Sequence, residues 1–348
     1  MDPLLNDHQS HPRSGQTVLV HGGGVRKASL TFNISLDTWL DLSTGINPRG
    51  WPVHDIPTMA WNRLPEAEDG LELAAKEYYG CPNLLPAAGS QAIIQTLPRL
   101  APPLGRVGIL SPTYAEHPHA WRMAGFEVRE LQHVSDQILD EFSVLVVVNP
   151  NNPTADKVPR TTLLSWWRRL QRHQGWLVVD EAFMDADAGE SISSDTGQDG
   201  LLVLRSIGKF FGLAGARVGF LLGPENLLQA AREQLGPWNV AGPSRWVATA
   251  ALSDHSWIRN TRVLLQEQSL RLSRLLADNG LAVTAKTALF HWMVLDNHQA
   301  WWEALARQGI LVRRFDHPHG LRFGLPGNET DWQRLARALS HVATTLSP

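Results

Sequence analysis

The sequence predicts an α/β protein with a mostly parallel, mixed sheet covered by helices, followed by a smaller α+β unit. Two observations lead there. From about residue 85, apolar runs of strand length alternate with amphipathic stretches of helical period, as parallel strands joined by helical crossovers require. Near residue 240 the stretch PWNVAGPSRW breaks that alternation, and a long helical pattern followed by short strands takes over. The 348 residues, 43% of them hydrophobic, suffice for two domains or for one large core with a satellite. The expected division is an N-terminal arm over 1–44 packing with the small domain, a large domain over 45–241 and a small C-terminal domain over 242–348.

Taken in order, RVGILSP (106–112) reads as a strand and HPHAWRMAGF as a helix. FSVLVVVNP (142–150) is apolar without alternation, so it is a strand buried on both faces. TTLLSWWRRLQRHQG (161–175) is amphipathic with a glycine stop, and WLVVDEAF and LLVLRSIG (201–208) are the next strands. Between those two, MDADAGESISSDTGQDG (184–200) is polar and glycine-containing and reads as a surface loop. A long helix is expected from about 244 to 279. It is followed by a strand at HWMVLD (291–296), a helix around 300–308, the strands GILVRRF and GLRFGLP, and a last helix. The 14 tryptophans, including Trp166, Trp167, Trp301 and Trp302, are assigned to packing.

Composition narrows the function. With 31 basic and 34 acidic residues and no block of like charge, the chain has no footprint for nucleic acid or membrane, and a small molecule is the expected partner. The single cysteine, Cys81, excludes an internal disulfide and a cysteine-based zinc site. No metal is expected. The opening MDPLLNDHQSHPRSG carries acids and prolines where a signal peptide needs a basic and then an apolar region, and no run approaches the ~20 apolar residues of a membrane span. A cytoplasmic location is the expectation.

The chemistry begins at RSIGKFFGLAGARVG (205–219), where a lone lysine, Lys209, sits among small and apolar residues. In open α/β sheets the carboxyl ends of the strands face the ligand crevice. Asp180 ends one strand, and Asn149, Asn151 and Asn152 follow another, so amine, carboxylate and amides converge on one rim. Gly89 and Ser90 precede a helical run whose N-terminal N–H groups can hold a phosphate, although Gly-Ser there also serves as a plain cap. Ser206 and Arg217 flank Lys209 and can add a hydroxyl and a guanidinium to that phosphate. Together these suggest pyridoxal 5'-phosphate (PLP). Lysine forms the Schiff base with its aldehyde, a carboxylate keeps the pyridine nitrogen protonated, and a donor tunes the ring oxygen.

At these residues the chain resembles a known family. NPNNPT, VDEAF and SIGKFFGLAGARVGF resemble the signature of fold-type I PLP-dependent transferases of the class I/II aminotransferase group. The resemblance implies Lys209 as the PLP-bearing lysine, Asp180 against the pyridine nitrogen and Asn152 on the ring oxygen. It places Gly89, Ser90, Gln91, Ser206 and Arg217 around the phosphate, and Tyr114 against the ring. In GLRFGLP, Arg322 matches the arginine that binds an anionic group of the substrate. Three positions depart from the aminotransferase pattern. Phe183 replaces a tyrosine that bonds the ring oxygen, Gly208 replaces a serine or threonine before the lysine, and Leu64 replaces a tyrosine that a neighbouring subunit would lend to the phosphate.

VHGGGVRK (20–27) and LDLSTGINPRGWP (40–52) are similar to the threonine-phosphate decarboxylase branch of the group, which also carries DEAF. This implies a substrate-binding loop at His21, Gly22 and Gly23 together with Asn47, although a flexible glycine turn is the plain alternative. The implied reaction is decarboxylation of L-threonine O-3-phosphate to (R)-1-amino-2-propanol O-2-phosphate in cobalamin biosynthesis, by a cytoplasmic homodimer. Arg322 is expected to anchor substrate through the phosphate, with Arg313 and Arg314 as further anion contacts that surface solvation explains as well. The rival readings are a histidinol-phosphate-type aminotransferase and a catalytically idle scaffold, against which the retained Lys209 and Asp180 argue.

Overall fold

A computed structural model describes residues 21–102 and 105–346. The expectations placed on residues 1–20, the absence of a signal peptide and the start of the arm among them, lie outside the described residues. Twelve strands are described: β1 (Leu40–Leu42), β2 (Leu84–Ala87), β3 (Arg106–Leu110), β4 (Glu127–Leu131), β5 (Val144–Val148), β6 (Trp176–Asp180), β7 (Leu201–Ser206), β8 (Gly219–Leu222), β9 (Ala285–Lys286), β10 (Phe290–Val294), β11 (Ile310–Asp316) and β12 (His319–Gly324). They form two sheets.

The larger sheet has the order β2-β8-β7-β6-β5-β3-β4. The strands from β7 to β4 pair in parallel, and β8 runs antiparallel between β7 and β2. Alternate residues of the central strands enter opposite cores, as a pleated strand requires. Val144, Val146 and Val178 pack on the side of helices Ser90–Leu100 and Glu225–Leu235. Leu145, Val147 and Val179 pack on the side of helix Arg160–Gln171. With both faces covered, the crevice for a ligand lies at the carboxyl ends of β5, β6 and β7.

The smaller sheet has the order β1-β11-β12-β10-β9. Its strands are antiparallel except that β1 pairs in parallel with β11, Leu40 opposite Ile310 and Leu42 opposite Val312. Residues 40–42 are therefore built into a sheet whose other strands come from the last third of the chain. Among the described residues, no helix is long and apolar enough to cross a membrane.

Two expectations are corrected. The single helix over about 244–279 is two, Gly242–Ser253 and His255–Asp278. Asp254 makes the break, because its carboxylate accepts the Trp257 N–H at 3.0 Å and caps the second helix. The stretch 184–200 is no surface loop along its whole length. It holds short 3-10 turns, and Asp185 and Ile192 are fully buried.

The reason is Arg205, whose side chain is 2% exposed and bonds Glu181 and Asp185 at 2.6 Å each, with its guanidinium 4.5 Å above the Tyr79 ring. Burial disfavours the charge, but the two carboxylates outweigh it and push the guanidinium pKa up. Glu181 also accepts from Ser191 Oγ and the Ile192 N–H, so this polar stretch is folded around a buried ion cluster. Arg205→Met would leave two buried carboxylates without their partner. The unfolding free energy is expected to fall by about 3–5 kcal/mol, read from the midpoint of urea unfolding.

Candidate active site

Five strand ends meet at one rim. β6 ends in Asp180, and β5 leads into Asn149 to Asn152. β7 ends in Ser206, two residues before the Gly208-Lys209 pair. β2 leads into Gly89, and antiparallel β8 starts at Gly219 beside it.

Asp180 is held rigidly. Its Oδ2 lies 2.9 Å from His117 Nε2, and its Oδ1 accepts the Ala182 N–H at 3.0 Å. His117 and Asp180 are both buried, so the carboxylate is kept from water by a partner that orients it. Tyr114 stands beside this pair, its ring 6.3 Å from that of His117. Burial, with help from Glu116 and Asp180, pushes the phenol pKa up to about 12, so it stays neutral.

The Lys209 amine makes no hydrogen bond or ion pair among the described residues, and it lies 5.4 Å from the centroid of Phe183. Burial lowers its pKa to about 8, and the positive charges of Arg322 and Arg217 act in the same sense against the opposing pull of Asp180. The lysine loop is strapped down by the segment after β1. The Lys209 carbonyl accepts the Asn47 N–H at 2.9 Å, and the Trp51 N–H donates to the Phe211 carbonyl at 2.8 Å. Asn47 Nδ2 donates to the Phe210 carbonyl at 2.9 Å while Asn47 Oδ1 accepts the Arg49 N–H. Buried Asn47 thus spends its amide on holding backbone, in contrast to the substrate contact expected of it.

Gly89 stands at the helix end for which the sequence predicts a phosphate. It caps helix Ser90–Leu100 with no side-chain bond, and its φ of +80° is one that side chains avoid. A Cβ there would lie 2.6 Å from Arg217 Nη2, so the space is already taken by a guanidinium brought up to the helix N-terminus. Arg217 reaches it from a left-handed backbone, φ 53°. Helix N–H groups and a guanidinium on one spot fit a phosphate, and Ser206 lies at the adjoining strand end with its hydroxyl taking the Gly208 N–H at 3.2 Å. With a buried amine low in pKa and a fixed carboxylate at the other side, the donor set fits PLP.

The facing wall is built by the smaller sheet. Arg322 on β12 is buried, its Nη2 donating to the Ser43 carbonyl at 2.8 Å and its Nη1 to Asn152 Oδ1. Its Nε has no partner among the described residues, and its guanidinium lies 5.0 Å from the Phe290 ring centroid. Burial and the neighbouring Arg313 lower its pKa to about 9, against the pull of Asp41. Arg313 stands directly opposite on β11 and donates to the His21 carbonyl at 3.0 Å. Phe183 packs edge-on against Phe290 at 5.0 Å, in space left by Gly45, where a Cβ would come 2.7 Å from the Phe183 ring.

The glycine segment is docked. Gly23 N–H donates to Ser43 Oγ at 2.8 Å, and a Cβ on Gly22 would lie 2.7 Å from the Ser43 carbonyl oxygen. This ordered contact replaces the flexible turn considered for HGGG. Arg313 proves half-buried and engaged, more than a solvated surface residue, whereas Arg314 pairs with Asp316 at 3.2 Å. Asn149 and Asn151 brace their own loop, Asn149 through Val158 and Asn151 through Pro112 and Thr154. Sequence reasoning missed His117, Ser43 and Glu116. Ser43 lies within LDLSTGINPRGWP, where Asn47 draws the attention, and Glu116 and His117 follow Tyr114, which alone is singled out there.

Residues 64–339 match the family described as aminotransferase class I and II. The chain belongs to that family. It is 52% identical to a threonine-phosphate decarboxylase of Pseudomonas aeruginosa over 92% of this chain and 97% of that protein. It is 31% identical to a histidinol-phosphate aminotransferase of Shewanella amazonensis over 74% of this chain and 76% of that protein. Among solved structures, the histidinol-phosphate aminotransferase of Sinorhizobium meliloti, in complex with pyridoxal-5'-phosphate, superposes with a TM-score of 0.78. It does so at 20% identity, over 95% of this chain and 96% of that one.

Two predictions follow from the geometry. Gly89→Ala forces a side chain into the Arg217 guanidinium at a strained φ. Spectrophotometric titration of the apoprotein is expected to show PLP affinity weakened at least about tenfold, some 1.4 kcal/mol. The second concerns pH. Because the Lys209 pKa is depressed to about 8, its neutral amine grows in as pH rises through that value. The rate at which apoprotein takes up PLP is expected to rise across pH 7–9 and then level off.

Proposed function

We propose that this protein is a PLP-dependent carboxy-lyase that converts L-threonine O-3-phosphate to (R)-1-amino-2-propanol O-2-phosphate and CO2, a step of cobalamin biosynthesis. The observation that carries the reading is the 52% identity to a threonine-phosphate decarboxylase along nearly all of both chains, against 31% over about three quarters of an aminotransferase. The two opposed arginines, Arg313 and Arg322, match a substrate that carries a carboxylate and a phosphate.

Lys209 would hold the cofactor through its amine, and the same amine would be the group to return a proton to the α-carbon. Asp180, fixed by His117 and the Ala182 N–H, is the group for the ring nitrogen. Gly89, Ser90, Gln91, Ser206 and Arg217 take the cofactor phosphate, and Tyr114 takes the ring face. Asn152 spends its carbonyl oxygen on Arg322, which leaves its amide hydrogens for the ring oxygen. Phe183 offers no second donor. When bound, PLP supplies an electron-accepting ring that takes the electron pair left as the carboxylate departs.

For the substrate, Arg322 serves the anionic group nearer the reacting carbon, supported by its bond to Asn152. Arg313, His21 and the N–H groups of Gly22 and Gly23 serve the other. This assigns Arg322 to the carboxylate end, in place of the phosphate contact expected from the sequence.

The reading also includes a homodimer in the cytoplasm and a domain division near residues 45 and 242. Met59, Trp61 and Leu64 are 59–64% exposed beside a groove that Trp246 helps to line, an apolar face suited to a second copy.

Incubation of the purified protein with PLP and L-threonine O-3-phosphate, without a keto acid, is expected to release CO2 catalytically, and Lys209→Ala is expected to abolish it. No CO2, with amino transfer from histidinol phosphate or glutamate, would make it an aminotransferase. Arg322→Ala is expected to lower kcat/KM by about 30- to 1000-fold, the value of a lost charge-assisted pair of some 2–4 kcal/mol. Unchanged kinetics would remove Arg322 from the substrate site.

A further inference from the structure

Glu116 has no role in the scheme above, yet it joins two walls of the site. It opens helix Glu116–Met123, two residues after Tyr114, with its side chain 11% exposed. Its Oε1 lies 2.8 Å from His21 Nε2, and its Oε2 accepts from Gln91 Nε2 at 2.6 Å. Gln91 is the second residue of the helix capped by Gly89, and His21 begins the segment that docks on Ser43. Between them stands Tyr114, its ring 6.1 Å from that of His21 and its hydroxyl 3.5 Å from Gln91 Oε1.

Both oxygens of a largely buried carboxylate are therefore spent on side chains from separate parts of the chain. Losing either partner would strand a buried polar atom, which makes the arrangement specific. The Glu116 bond also puts a proton on His21 Nε2 and turns Nδ1 away from Glu116.

We infer that Glu116 is a positioning residue, a latch that fastens the glycine segment 22–24 to the helix at the cofactor-phosphate end. It acts on substrate affinity through His21 and sets the spacing between the two anion-binding ends of the site. The kinetic consequence rests on the decarboxylase reading, whereas the latch itself is a property of the chain alone.

Limited trypsin digestion of the apoprotein tests the latch without any reaction. Arg26 and Lys27 lie exposed in helix Val25–Phe32, immediately after the glycine segment. Glu116→Ala is expected to speed cleavage there about tenfold, as unlatching raises the open population by that factor. Glu116→Gln is expected to stay within about twofold, since its amide oxygen can accept from His21 and its amide nitrogen can donate to Gln91 Oε1 once the Gln91 amide flips, leaving Gln91 Nε2 to face the Tyr114 hydroxyl. His21→Ala removes the other half of the latch and is expected to match Glu116→Ala in the digestion.

With L-threonine O-3-phosphate as substrate, Glu116→Ala is expected to raise KM about tenfold with kcat within about twofold. The double variant with His21→Ala is expected to be no worse than His21→Ala alone, because the two act as a unit. Unchanged cleavage in both alanine variants, or KM effects that multiply, would overturn the latch. Failure of the unaltered protein to release CO2 would instead overturn the decarboxylase reading, and the digestion would still decide the latch.

Discussion

The site depends on one strap, residues 40–51. Its first part, β1, is a strand of the smaller sheet, and its last part is hydrogen-bonded to the backbone of residues 209–211 in the larger body. Between these, Ser43 accepts from Arg322 through its carbonyl and from the Gly23 N–H through its hydroxyl. The lysine loop, Arg322 and the glycine segment thus share one covalent support, residues 40–51. Gly50 and Gly212 make the contact possible, since a Cβ on Gly212 would lie 2.5 Å from the Gly50 Cα. No larger residue fits there without moving the lysine loop.

The strap holds the backbone of the lysine loop, while desolvation and the neighbouring guanidiniums of Arg322 and Arg217 lower the pKa of the Lys209 amine to about 8. Asp180 on the adjacent strand end is fixed in place because His117 and a backbone N–H hold it. The Lys209 amine and the Asp180 carboxylate are kept apart by the neighbouring strands that lead into them. Separately, the buried Arg205 cluster locks the stretch after β6.

Much of the fold was legible because unbroken apolar runs such as Val144–Val148 have no reading other than a strand buried on both faces. Lys209, Asp180, Asn152 and Gly89 were legible as candidates because strand ends and a helix start place them by topology alone. What the sequence hid was long-range pairing. Asp185 and Ile192 looked like loop residues because the partner of Asp185, Arg205, is spoken for only in three dimensions. Asp254 sits in a continuous helical pattern, and a single capping carboxylate was enough to break it. Ser43, Glu116 and His117 lie in or beside stretches the sequence does mark, but the role of each comes from a partner at least twenty residues away.

The most direct measurement is to reduce the PLP-loaded protein with borohydride, digest it and locate the modified lysine by mass spectrometry. The chain has five lysines, so the answer is discrete. This account predicts label on Lys209 alone. Label on Lys27, Lys76, Lys157 or Lys286, with Lys209 unmodified, would contradict it and leave the strap without the reactive group it is built to hold.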